Sequence, residues 1–147
     1  MRGMEPESNL PLPTRLLKLI QAGRWPKTHD EEIHQNIRSL VPKECIQSFA
    51  PEEDRIYLFS PPFRTIAQRI SGGEEVFWSR WGALGEIAPD LALDIAAFGL
   101  GADSAIVLDY RQENPSAIRL VWRKPEQNIW VRCADNFDDF ADLLGLD

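Results

Sequence analysis

The stretch from Phe98 to Leu146 decides the fold. It reads FGLGADSAIVLDYR at 98–111, AIRLVWRK at 117–124 and NIWVRCADNFDDFADLLGL at 128–146. In the first segment Ile106, Leu108 and Tyr110 alternate with Ala105, Val107, Asp109 and Arg111. In the second, Ile118, Leu120 and Trp122 alternate with Arg119, Val121 and Arg123. In the third, Ile129, Val131 and Cys133 alternate with Trp130 and Arg132. A period of two is the mark of a strand with one buried face. Gly99 and Gly101 flank a turn before the first strand, and Asn114-Pro115-Ser116 turns the chain after it. Short connections place neighbouring strands side by side and antiparallel. From Phe137 onward the period changes. Phe137, Phe140, Leu143 and Leu144 recur at helical spacing, Asn136 (or Asp135) can cap the start, and Gly145 ends the helix. This helix is expected to cover the apolar face of the sheet, leaving an arginine-bearing face on the other side.

Upstream, Leu91, Leu93, Ile95 and Ala97 alternate with Ala92, Asp94 and Ala96, which predicts another half-buried strand. Pro13–Ala22 reads as a helix started by Thr14 and stopped by Gly23. Asp30–Leu40 reads as a second, with a capping-box pattern in Thr28 and Glu31 and an apolar stripe of Ile33, Ile37 and Leu40. Pro51 and the acids at 52–54 read as a loop, Ile56–Phe59 as a short strand broken by Pro61-Pro62, and Phe63–Ile70 as a short helix. Glu74–Trp81 fits either period and is read here as strand or irregular structure. The expected class is α+β: one antiparallel sheet of about four to six strands with helices packed on it. A chain of 147 residues suits a single domain spanning 1–147, with 1–11 as a loose arm.

Composition narrows the function classes. Apolar residues make up 44%, too many for a disordered chain. No apolar run reaches the roughly 18 residues that a membrane helix needs, and MRGMEPESNLPLP carries no apolar signal core. Membrane partners are therefore not expected, and a cytoplasmic location is. Cys45 and Cys133 have no CxxC partner and read as reduced, largely buried thiols. The formal net charge of −7 repels nucleic acid and attracts a basic protein. Asp135, Asp138, Asp139, Asp142 and Asp147 give the last thirteen residues five acids and no Lys or Arg. A run of this kind is ordinarily a solvated helix face.

The order of these elements resembles the SUKH superfamily, which includes fungal cell-wall-synthesis regulators and bacterial immunity proteins. The resemblance is carried by the glycine-rich turn Phe98-Gly99-Leu100-Gly101-Ala102-Asp103-Ser104 and the strand with Leu108-Asp109-Tyr110-Arg111. The later tryptophan strand and the terminal Phe137-Asp138-Asp139-Phe140 helix with Leu143-Leu144-Gly145-Leu146 complete it. It covers the last third of the chain. It implies an α+β domain that binds proteins, in bacteria often a toxin's catalytic domain.

Constellations that would support catalysis are weak. Gly99-Leu100-Gly101-Ala102-Asp103-Ser104 departs from GxGxxG at its last position and precedes a strand, so it reads as a tight turn and not a phosphate loop. Its Asp103 and Ser104 are suited to side-chain bonds within that turn. His29 and His34 lie five residues apart, not the four of a zinc pair on one helix face, and no metal or other cofactor is expected. Asp103 and Asp109 form a carboxylate pair only if the turn brings them together. Asp109 is expected instead to pair across the sheet with Arg119. Of five tryptophans, Trp122 is read as core, Trp130 as an aromatic on the arginine-bearing face, and Trp78 with Trp81 as the lip of a groove.

The expectation is a non-enzymatic protein-binding domain, an immunity protein that occludes a basic toxin domain such as a nuclease. The alternative is a regulatory scaffold that recruits cellular proteins. The residues expected to meet the partner are Asp103, Ser104, Asp109, Arg111 and Trp130, with Asp138, Asp139 and Asp142 supplying an acidic field.

Overall fold

A computed structural model describes residues 10–99, 104–123 and 128–146. It contains one open antiparallel sheet with helices on both faces. The helices are α1 (Thr14–Gln21), α2 (His29–Ile33), α3 (Lys43–Gln47), α4 (Ile66–Arg69), α5 (Glu75–Trp81) and α6 (Phe137–Leu143). The strands are β1 (Ile56–Leu58), β2 (Arg64–Thr65), β3 (Ala92–Phe98), β4 (Ala105–Asp109), β5 (Ser116–Val121) and β6 (Ile129–Ala134). Their order is β1-β3-β4-β5-β6, and β2 pairs with β3 alongside β1. The α+β expectation and the antiparallel meander of the last third hold.

The sheet face with Leu93, Ile95, Phe98, Ile106 and Leu108 meets α1, α3 and α6 through Leu16, Leu19, Ile46, Phe137, Phe140 and Leu144. The other face, with Ala92, Ala105, Val107, Ile118 and Leu120, meets Ile66, Trp78 and Ile87. Every residue of β3 and β4 is buried. The alternation in these strands therefore marks two covered faces, not one covered and one open. The arginines divide accordingly. Arg119 reaches toward Glu52 at 3.2 Å and stacks on Phe98, on the larger-core side. Arg132 stands opposite Ile118, on the smaller-core side.

Local chemistry explains the helix ends. Asn136 caps α6 by accepting from the Asp139 amide at 2.8 Å, and Gly145 takes a left-handed φ of 72° after it. Thr28 accepts from the Glu31 amide at 3.2 Å, but the Glu31 carboxylate turns to the amide of Lys27, so the box is half formed. Pro13, not Thr14, stands at the cap of α1, with no side-chain cap bond. Thr65 and Gln68 form a full capping box at α4, where the reading of 63–70 as one helix omitted the preceding strand β2.

The middle of the chain departs furthest from expectation. Residues 43–47 form α3, a helix that the sequence pattern did not single out. Glu75–Trp81 is a helix, separated from α4 by a kink within Ile70–Glu74, where Gly73 takes a non-helical φ of 111°. The second helix stops at Ile33 and continues only as a 3₁₀ turn to Asn36. Ile33, Ile37 and Leu40 face outward, Ile37 at 83% exposure, whereas Gln35 is buried. The segment read as a loose arm is anchored at its far end. Leu10 and Leu12 pack on the larger core, and the Tyr110 hydroxyl donates to the Pro11 carbonyl at 2.7 Å.

Trp78 organises the second face. It is fully buried, its ring meets Phe77 at 5.1 Å, and the Arg69 guanidinium lies 5.3 Å from its centroid. Gly82 allows this closeness: a Cβ there would sit 2.6 Å from the Trp78 carbonyl oxygen and 2.7 Å from its ring. Gly82→Ala is therefore expected to destabilise the fold by about 1–3 kcal/mol through overpacking. A urea midpoint equal to that of the parent protein would refute this.

Candidate binding surface

The last strand and last helix form the first candidate surface. β6 pairs with β5 on one side, and no strand among the described residues pairs with its other side. Between β6 and α6 lies a groove of about 530 Å³ lined by Arg132, Cys133, Asp135, Asp139, Asp142 and Leu143. The sequence arranges α6 so that Phe137, Phe140 and Ala141 point inward while Asp138, Asp139 and Asp142 stay exposed. Asp138 and Asp139 sit in its first turn, where the helix dipole favours anions. Arg15 fastens the helix to α1 by donating to the carbonyls of Asp138 (2.9 Å) and Leu146 (2.6 Å) and pairing with Asp142 at 2.8 Å. Asp135 faces Arg132 at 3.3 Å across a mostly exposed pair. Such exposed pairs contribute little to stability and leave the field of the helix acidic.

A second surface is aromatic. Trp122 is 42% exposed and Val76 79% exposed. Trp122 meets Trp81 at 5.2 Å and Phe77 at 6.2 Å, and the Arg80 guanidinium lies 4.9 Å over Trp81. The reading of Trp122 as core is corrected: it follows the last residue of β5, beyond the cover that α5 gives Ile118 and Leu120. Trp81 does line a surface, but Trp78 is core. Trp130 shares the smaller-core face with Leu120, and its indole donates to the Gly82 carbonyl at 2.8 Å, so it is half-buried against α5's end and not set on an open face.

The other expected contact residues are scattered. Asp103 lies outside the described residues. Ser104 is half-buried, and its carbonyl accepts from the Phe98 amide at 3.0 Å, closing the turn between β3 and β4. Asp109 is 5% exposed and is chelated by Arg111 two residues on, at 2.7–3.1 Å. The proposed Asp109–Arg119 pair does not form, because the two side chains lie on opposite sheet faces. Burial pushes the Asp109 carboxyl up, but the Arg111 hydrogen bonds outweigh it and hold the group below its usual range. The two cysteines are free thiols, and burial pushes Cys133 up to about 12, which keeps it protonated and unreactive.

A third feature escaped the sequence reading. Asp94 stands in the middle of β3, 4% exposed, where the register with β4 slips. One carboxylate oxygen pairs with Arg69; the other is buried without a hydrogen-bond partner among the described residues. Arg69 is shared with Glu74 at 2.7 Å, and Glu74 also accepts from the Trp78 indole at 3.2 Å. A cavity of about 290 Å³ opens here between β1 and β2, lined by Glu32, Phe59, Ser60, Arg64, Arg69 and Asp94. The available signal was the one acid in the apolar run LALDIAAF at 91–98.

Burial raises the Asp94 carboxyl from 3.8 to about 7 despite the opposing pull of Arg69. The folded protein then holds a proton between about pH 4 and 7 that the unfolded chain has released. Stability from this group is complete below that window and falls as pH rises through it. Measured as the urea midpoint of the parent protein minus that of Asp94→Asn, the difference is expected to fall between pH 5 and 7 and level off above 8. A flat difference would refute it. Asp109 acts in the opposite sense, losing stability only as pH falls below about 4.

No described helix is long and apolar enough to cross a membrane. The chain matches no family model, and comparison with curated proteins and with solved structures returns no match.

Proposed function

We propose that this chain is a non-enzymatic, SUKH-like protein-binding domain of the cytoplasm, an immunity protein that neutralises a cognate toxin by occlusion. The observation that supports this best is the groove between the unpaired side of β6 and the acid-bearing face of α6. An open strand edge offers backbone donors and acceptors to an extended segment. The acids beside it offer a field that speeds encounter with a basic partner and disfavours acidic ones, nucleic acid included. Covering a toxin's active site needs shape and charge and no chemistry on this chain.

The regulatory-scaffold reading is favoured by a different observation, the cluster of Trp122, Trp81, Phe77 and Arg80. Tryptophan and arginine together are the usual composition of interface hot spots. A partner seated there would be held by apolar contact and not by charge.

Two experiments separate these readings. An immunity gene should lie beside a toxin gene, and co-expression with a toxin-like domain encoded there is expected to rescue growth and to yield a stable complex in solution; no rescue, or no toxin-like neighbour, overturns the immunity reading. On the purified pair, Asp138→Lys with Asp142→Lys is expected to slow association by about tenfold or more at low salt, and added salt to slow the parent pair similarly. A salt-independent on-rate would move the interface to the Trp122 cluster, where Trp122→Ala should then weaken binding by about 2 kcal/mol.

A further inference from the structure

The cleft at Asp94 is built from charges that are nearly all committed to one another. Arg69 serves Asp94 and Glu74, and Arg64 lies 3.9 Å from Glu74. Glu32 accepts from the Ser60 amide at 2.6 Å, the Ser60 hydroxyl at 2.9 Å and the Tyr57 hydroxyl at 3.1 Å. Carboxylates outnumber guanidiniums here, with Glu32, Glu74 and Asp94 facing Arg64 and Arg69. The unmet capacity is that of an acceptor. A carboxylate has about four lone-pair positions, and the second oxygen of Asp94 uses none of them within the described structure. A buried oxygen of this kind demands a donor.

We propose that this cleft binds a protonated primary amine, its ammonium seated on the unshared oxygen of Asp94 and its alkyl chain along Phe59, Pro62 and Phe63. An anion is disfavoured, because both arginines already face carboxylates and a third acid lines the wall. A single acceptor oxygen suits the point charge of an ammonium better than the flat fork of a guanidinium. The added cation would stand opposite Arg69 across the Asp94 carboxylate and balance the excess of acids. The amine is either a free alkylamine or the side chain of a lysine from a bound protein. This inference holds whether or not the immunity reading does.

The Trp78 indole, bonded to Glu74, reports on the cleft, and the Trp25 indole, bonded to the Phe59 carbonyl, serves as an internal comparison. Titration of the ¹⁵N-labelled protein with butylammonium chloride is expected to shift the Trp78 indole resonance saturably, at millimolar concentrations, and Trp25 less. Butanol and sodium butyrate at matched ionic strength should not do so. Affinity should be about tenfold weaker at pH 6 than at pH 8, following the ionised fraction of Asp94. Asp94→Asn should abolish binding. If that variant does not fold, the pH comparison on the parent protein decides. Absence of saturation, an equal response to butanol or butyrate, or undiminished binding at pH 6 would overturn the proposal. A lysine peptide binding more tightly than butylammonium would assign the site to a protein partner, and the reverse to a free amine.

Discussion

Trp78→Ala is expected to destabilise the protein by about 3–5 kcal/mol, the cost of emptying a large buried aromatic site. The loss has three sources. The ring fills the space between α5 and the sheet face made by Val107, Ile118 and Leu120. It supports the Arg69 guanidinium from below, at 5.3 Å. Its indole also satisfies one oxygen of Glu74 at 3.2 Å. Few single-domain proteins exceed about 5–15 kcal/mol of total stability, so the variant should stand close to unfolding at room temperature. Urea denaturation followed by far-UV circular dichroism gives the number. Trp78→Phe should recover most of it, because volume returns without the indole donor. A midpoint for Trp78→Ala close to that of the parent protein would mean that the second face of the sheet is not a true core.

Gln35→Ala should cost about 2–4 kcal/mol, unusually much for a polar residue on a short helical turn. The Gln35 carboxamide accepts from the Leu58 amide at 2.8 Å and donates to the Leu58 carbonyl at 2.8 Å, copying the bond pattern of a neighbouring strand. Its amide also donates to the Glu32 carbonyl at 2.9 Å. Removal strands two buried backbone groups at once. Gln35→Glu keeps the acceptor and loses the donor, so it should lie between. Hydrogen exchange at the Leu58 amide offers a local check, with protection expected to fall in Gln35→Ala beyond the global loss. Unchanged exchange there would show that water or another group replaces the carboxamide.

The parts of the fold legible in the sequence are those where one pattern acts alone. β4, β5, β6 and α6 follow from period two giving way to a helical period, with Asn136 and Gly145 as local punctuation. The second helix failed because its most regular feature misled. Ile33, Ile37 and Leu40 have helical spacing, yet the bonds of Gln35 to Leu58 set the orientation, and a pairing 23 residues away in sequence leaves no periodic trace. Trp78 and Trp81 look equivalent in sequence; only the second sheet face, assembled from distant segments, buries one and exposes the other. The expected contact residues divided for the same reason. Asp138, Asp139 and Asp142 lie on an exposed helix face that local pattern defines. Asp109 is taken up by Arg111, and Trp130 by the Gly82 carbonyl. Asp94 was visible as an acid in an apolar strand, but its meaning depended on Arg69, which period and spacing do not connect to it.

The two sides of the sheet also differ in what they permit between molecules. On the β1 side, the Gln35 carboxamide occupies the Leu58 backbone groups that another strand would need. On the β6 side no described strand continues the ladder. A body with one sticky side and one blunt side can join to a single copy of itself and no further, because the pair presents only blunt ends. Edge-to-edge growth into fibrils, the general hazard of open sheets, is therefore expected to be hindered at the Leu58 edge. Loss of Gln35 is therefore expected to lower solubility as well as stability, by freeing the Leu58 backbone groups.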